Sequence, residues 1–462
     1  MYLKFELICR VSICVLVVGL LAGCASQRGV SMVPEPRPLG AAYRTIGPDS
    51  VGEIGFVEPV PERLAGPVDL NQALSLSLLH NPELEAFSLD VRASEARLLQ
   101  ASVFSNPELE LELEEYDRGG LGFDSAETSI SLGQLFELGG KRRLRKQMAE
   151  AEGNLAGWDY ERVRLEVFTE TARRFIAAEA AQRRLELAES AVALGEEMSR
   201  AVEARVKAGK EPPLQEKKAA GELELSRLAV VEAQNDVKTA QSGLVSMWGV
   251  SQVSFQLLEG DLDKIHSSVP SLQVVRSHVQ QNPELARLDA ERRLREIALA
   301  AEKAARIPDL EAFVGYQQSE ENNTDSIKFG IAVPLPVFDR NQGGIAAAGN
   351  ELARSGSERR SIHASLAVEA DATHARLRAA LSKVTALRRK ILPTMNAAFS
   401  AAQEGYRQGK FGYMDVLDAQ RSLIHAEQSL LDALTEYHTA VIELESVTAT
   451  GIENLINAST ED

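Results

Sequence analysis

The residues of this chain with the capacity for chemistry are its seven histidines, its three cysteines, a Gly139-Gly140-Lys141 corner and a pair of aspartates, Asp415 and Asp418. A helical zinc site needs two imidazoles four residues apart, so that both point from one face toward the metal. His80, His266, His278, His363, His374, His425 and His438 include no such pair, and only His363 and His374, eleven apart, fall on a common face. A phosphate-cradling loop needs glycine five residues before Gly-Lys and a hydroxyl residue after it. Leu135 and Arg142 hold those places, so Gly139-Gly140-Lys141 is a strand-to-helix corner. Asp415 and Asp418 stand three residues apart at a helix start, where solvated acids favour the positive end of the dipole. With no nucleophile–base pair, metal cluster or phosphate loop, the chain is not an enzyme, and no cofactor or resident metal is expected.

Charge and the N-terminus point elsewhere. A net charge of −17 opposes a nucleic-acid partner, which requires a basic face, and leaves room for an acidic lumen that favours cations. Lys4 and Arg10 precede an apolar run over 11–22, shorter than the ~20 residues of a membrane-spanning helix. The run ends in Leu21-Ala22-Gly23-Cys24, which resembles a bacterial lipoprotein signal cut before the cysteine and acylated on its thiol. Ala25, rather than aspartate, follows, which in such signals directs the protein to the outer membrane. Residues 1–23 are then a removed signal peptide that takes Cys9 and Cys14 with it, and Cys24 is the lipidation site. Residues 24–68, with seven prolines between Pro34 and Pro67, read as an extended tether.

The elements that must position anything else come in two copies. Asn81-Pro82-Glu83-Leu84 recurs as Asn282-Pro283-Glu284-Leu285, and Asn106-Pro107 as Ile307-Pro308, both at an offset of 201 residues. The first repeat, 69–248, holds a helix, a hairpin over 108–136, a long helix over 141–207 and a return helix over 214–248. The second, 271–450, holds a helix, a hairpin over 309–334, a long helix over 341–408 and a return helix over 414–448. A linker, 249–270, joins them, and 451–462 is a C-terminal tail. The hairpins alternate apolar and polar residues, as in Glu108, Leu109, Glu110 and Leu111, and have the length of transmembrane barrel strands. A soluble hairpin packed on helices would carry the same alternation. The long helices show 4-3-4-3 apolar spacing, Leu144, Met148, Ala151, Leu155 and Trp158, which is coiled-coil packing. Gly209 and Gly409 end them at tip turns, and Pro393, whose counterpart is Ala193, should kink the second. Four strands leave open edges that a bilayer does not tolerate, so closure requires several chains.

On these residues the chain resembles the TolC family of outer-membrane efflux factors over nearly all of its mature length. Leu135-Phe136-Glu137-Leu138-Gly139-Gly140-Lys141-Arg142 and Pro334-Leu335-Pro336-Val337-Phe338-Asp339-Arg340-Asn341 bring it closest to the CzcC-like branch of heavy-metal efflux. The resemblance implies a mainly α fold with a small β part: a TolC-like α/β barrel of two repeats and four transmembrane strands per chain, closed as a homotrimer in the outer membrane. Its tunnel of long helices would extend into the periplasm and dock, through a periplasmic adaptor, with an inner-membrane pump of the resistance-nodulation-division class. The cargo implied is heavy-metal cations passing through a passive duct. Tyr406, Gly409 and the stretch Met414 to Ala419 match the family's periplasmic entrance motif, which implies rings of Asp415 and Asp418 around a cation-selective mouth. Gln215 and Lys218 occupy the matching places of the first tip. The competing readings are the same fold carrying drugs or secreted protein and, behind it, a periplasmic coiled-coil adaptor.

Overall fold

The computed structural model describes residues 32–48, 60–64, 66–114, 127–253, 255, 257–319 and 324–461. The signal segment and Cys24 lie outside the described residues. The first half runs β1 (Val68–Asp69), α1 (Leu70–His80), α2 (Pro82–Ser102), β2 (Glu108–Glu114), β3 (Glu127–Phe136), α3 (Lys141–Lys207) and α4 (Pro213–Ser246). After β4 (Leu258–Glu259), the second half runs α5 (Leu272–His278), α6 (Pro283–Ala305), β5 (Leu310–Ser319), β6 (Thr324–Ala332), α7 (Gln342–Ala386), α8 (Leu392–Arg407), α9 (Tyr413–Thr448) and α10 (Ile452–Glu461). The fold is mainly helical with a small sheet part.

The recurring Asn-Pro has a local cause in each half. The Asn81 side-chain oxygen caps α2 by accepting from the Glu83 and Leu84 amides at 3.0 and 3.1 Å. Its amide nitrogen donates to the Met247 carbonyl at 3.0 Å, tying the start of α2 to the end of α4. Asn282 repeats both roles, accepting from the Glu284 amide at 2.9 Å and donating to the Val447 carbonyl at 3.0 Å. Proline follows because the first helical position needs no N–H. Asp69 caps α1 through the Gln72 amide at 2.7 Å.

Helix α3 is 67 residues long, or about 100 Å. Its middle is the molecular core, where Tyr160, Val163, Leu165, Phe168 and Phe175 are buried with Leu78, Leu84 and Trp248. The Pro-rich stretch read as a tether contributes to this core. Residues 32–48 lie against α3 with Met32, Leu39 and Ile46 buried. A Cβ at Gly157 would stand 2.1 Å from the Met32 carbonyl oxygen, and one at Gly153 would stand 2.0 Å from its sulfur. These glycines form a groove that only a bare backbone can offer. Arg164 and Glu161, buried at 2 % and 1 % side-chain exposure, pair at 2.7 Å. They hold the strap through the Leu39 carbonyl (2.9 Å) and the Arg37 amide (2.6 Å).

The second long helix differs from the single span expected over 341–408. A π-helical turn, Leu387–Ile391, separates α7 from α8 and ends two residues before Pro393. Proline lacks an N–H and its ring crowds the carbonyl four residues earlier, which is that of Arg389. The ladder takes up the fault by lengthening one step, with the Leu392 amide bonding to the Leu387 carbonyl. The linker and tail are also ordered into the fold. β4 pairs in parallel with β1, Leu258 and Leu262 are buried, and α10 packs Ile452 and Leu455 inward.

The sheet has the order β2-β3-β5-β6, all antiparallel. Its register lines Leu109 with Leu132, Val314 and Phe329, and Leu111 with Ile130, Tyr316 and Ile327. One face is therefore apolar and bare, with Phe329, Ile327 and Ile331 at 85, 73 and 70 % exposure. The other carries Glu108, Glu110, Glu112, Ser129, Ser131, Glu311, Gln317 and Lys328. No described helix is long and apolar enough to cross a membrane.

Candidate functional site

The two helical reversals at the end farthest from the sheet share one backbone solution. Gly209 and Gly409 adopt φ of 68° and 75°, open to glycine without penalty. Lys210 and Lys410 donate back to the carbonyls of Arg205 (2.9 Å) and Gly405 (2.8 Å), closing each long helix with a Schellman turn. The returns begin differently. Helix α4 starts after Pro212 with no side-chain cap. At the start of α9 the Asp415 carboxylate accepts from the Gly412 amide at 2.8 Å, so this acid caps its own helix.

A small core joins all four helix ends: Met198 and Val202 of α3, Ala219 of α4, Ala402 and Tyr406 of α8, and Tyr413, Val416 and Leu417 of α9. Because Tyr413, Val416, Leu417 and Gln420 turn inward, the opposite face of α9 presents Met414, Asp415 and Asp418 to solvent. The two acids predicted from sequence therefore share an exposed face. Tyr406 is buried beneath them, where desolvation pushes its phenol above the usual range.

Several residues that the sequence analysis did not single out hold the two tips together. Arg205 reaches from α3 to donate to the Tyr406 carbonyl at 2.7 Å, lies 4.5 Å over its ring and approaches Glu211 at 3.7 Å. Arg421 of α9 makes a two-pronged bond to Glu222 of α4, and Arg407 stands 3.6 Å from Glu197. Lys218 and Met414, both named from the sequence, also meet across the tips at 3.7 Å. The only local signal for Arg205 is its place in the last turn of a helix, which any basic residue satisfies. Its partner is 201 residues away.

Among the described residues no three His, Cys, Asp or Glu side chains are grouped to hold a metal ion. His363 and His374, which share a face by spacing, have separate partners: Gln280 at 2.6 Å for the first and the Pro270 carbonyl at 2.9 Å for the second. What the tip offers chemically is a pair of exposed carboxylates at a capped helix start.

Comparison with known proteins gives a consistent result. The family model described as "Outer membrane efflux protein" matches residues 73–250 and again 274–450. The cobalt-zinc-cadmium resistance protein CzcC of Cupriavidus metallidurans is 30% identical over 415 residues, covering 89% of this chain and 98% of that protein. A crystal structure of CusC superposes with a TM-score of 0.71 at 20% identity, covering 93% of this chain and 99% of the other. The open-state MtrE channel of Neisseria gonorrhoeae also superposes at 0.71, with 17% identity and coverage of 92% and 99%.

Proposed function

The chain belongs to the outer membrane efflux protein family, and on that premise we propose that it is the passive exit duct of a tripartite system exporting heavy-metal cations. The observation that carries this reading is the four-stranded sheet with one bare apolar face and, among the described residues, two unpaired edges, joined to a helix about 100 Å long. An apolar face of that size is stable in a bilayer, and its unpaired edges require further copies. Three copies would close the sheet into a barrel and the long helices into a periplasmic tunnel. Neither reaction nor cofactor enters this scheme. Energy comes from an inner-membrane pump of the resistance-nodulation-division class, reached through a periplasmic adaptor.

The metal cargo is supported by similarity to a protein named for cobalt, zinc and cadmium resistance. At the mouth, Asp415 and Asp418 from each copy would ring the axis. Their exposure on one face of α9 supports this, and the rings would attract cations and repel anions. Deleting the gene is expected to sensitise cells to cobalt, zinc and cadmium, with restoration by the full chain. Unchanged metal sensitivity alongside lost drug resistance would overturn the cargo. A chain released from membranes by salt without detergent would overturn the duct.

A further inference from the structure

The polar face of the sheet is unevenly charged, and the unevenness falls on its two open edges. Edge strand β2 turns glutamate to this face at 108, 110 and 112, at every second residue. Each inner strand adds one acid, Glu127 on β3 and Glu311 on β5. Edge strand β6 turns Thr324, Ser326, Lys328, Gly330 and Ala332 to the same face, with no acid among them. Lys328 is the only basic residue in the four strands. Its register partner on β5 is Gly315, which offers no side chain.

We propose that Lys328 of one copy lies against the glutamate ladder of β2 in the next, and that this contact sets how copies join edge to edge. The inference rests on the closed-barrel reading above. Order and direction favour it: β6 runs opposite to β2, so a second copy continuing the sheet brings the two together as antiparallel neighbours. Residues directly opposite share a face. Keeping the apolar side continuous therefore places Lys328 opposite an inward residue of β2. Level with Lys328 in its own sheet is Glu110, through Gly315 and Ser131. Barrel closure demands a stagger along the strands. With glutamate at three successive inward places, a shift of up to about four residues either way still leaves a carboxylate opposite or diagonal, within reach of a lysine. Like charges facing across strands destabilise a pair, and β6 is the one strand that meets the ladder without an inward acid.

The test uses the full chain in detergent. Light scattering on the unmodified protein comes first, and a monomer there would overturn the closed-barrel reading itself. Given an oligomer, Lys328→Cys is combined singly with Glu108→Cys, Glu110→Cys or Glu112→Cys and oxidised; the native cysteines are only Cys9, Cys14 and Cys24. Disulfide-linked dimers and trimers from at least one pair are expected. Linkage only to Leu109→Cys, Leu111→Cys or Leu113→Cys, or to none, would overturn the proposal. In parallel, Lys328→Glu is expected to lose most of the detergent-resistant oligomer, and adding Glu110→Lys with Glu112→Lys is expected to restore it. Undiminished oligomer in Lys328→Glu would also overturn the contact, whatever the fate of the other variants.

Discussion

The two halves run through the same elements and keep them with different interactions. In the first half the long helix is continuous, and its centre is secured by a buried ion pair, Arg164 with Glu161, that also clamps the strap over 32–48. In the second the long helix carries a π turn before Pro393, and its centre is an apolar cluster including Leu377, Val384, Leu434 and Leu444. The return helices diverge further. Helix α4 leaves Leu214, Leu225, Leu228 and Val231 exposed, whereas α9 buries Leu423, Leu431, Leu434 and Tyr437. Similar element orders are thus held in one half by a buried ion pair and a clamped strap and in the other by apolar packing that takes in the C-terminal helix. The acids of the proposed mouth and the helix fault both lie in the second half.

The largest test of this contrast is at Glu161. Glu161→Ala leaves Arg164 buried without its partner and is expected to cost about 3–5 kcal/mol in thermal or denaturant unfolding. Ile362→Ala, at the corresponding place of the second half by the repeat offset, should cost less, since no buried charge is orphaned there. An equal loss would break the distinction between the halves.

The next test is pH. Glu445 sits where the first half has the buried Val245. Desolvation raises its carboxyl to about 7, with Glu453 adding to the rise and the hydrogen bond from the Ile452 amide opposing it. A carboxyl that holds its proton longer folded than unfolded makes the folded state the better proton binder between the two pKa values. Stability from this group is therefore full below the ordinary glutamate range and lost as pH rises toward about 7. Amide exchange in α10 is expected to quicken across that window, and Glu445→Gln should flatten the dependence.

At the tips, Arg205→Ala removes a hydrogen bond and a stacking contact and should cost about 1–2 kcal/mol, read as faster amide exchange around Tyr406. Exchange confined to Gly209 would show that the two hairpins are not coupled through this residue. Asn81→Ala and Asn282→Ala should each cost about 1 kcal/mol, with equal values expected because both cap a helix and donate to the return helix. The smallest effect separates the two acids. Asp415→Asn should lose a few tenths of a kcal/mol as a weakened cap, and Asp418→Asn almost nothing. Both are expected to reduce cation preference in bilayer conductance, and an unchanged preference would remove them from the mouth.

Much of the architecture was legible in the chain because it rests on local rules. Asparagine before proline caps a helix wherever it falls, period two marks strands, and glycine ends a helix by tolerating positive φ. Asp415 and Asp418 could be placed on one face from their spacing alone. The strap was not legible, because extended Pro-rich chain has no period, and its groove at Gly153 and Gly157 reads as two ordinary small residues in a helix. Pro393 announced a fault, yet the π turn falls two to six residues before it, on Leu387–Ile391, where the crowded carbonyl lies.

What the sequence determined by itself was the main helices and hairpins, the recurrence of their motifs at a near-constant offset and the chemistry each face presents, since those follow from residue type and short-range spacing. Tertiary structure alone decided that Arg205 belongs to Tyr406 and that β3 and β5 meet to merge two hairpins into one sheet. Those contacts join residues some 200 positions apart. At such separations hydrogen-bond geometry and burial select the partner, and no periodicity along the chain encodes the choice.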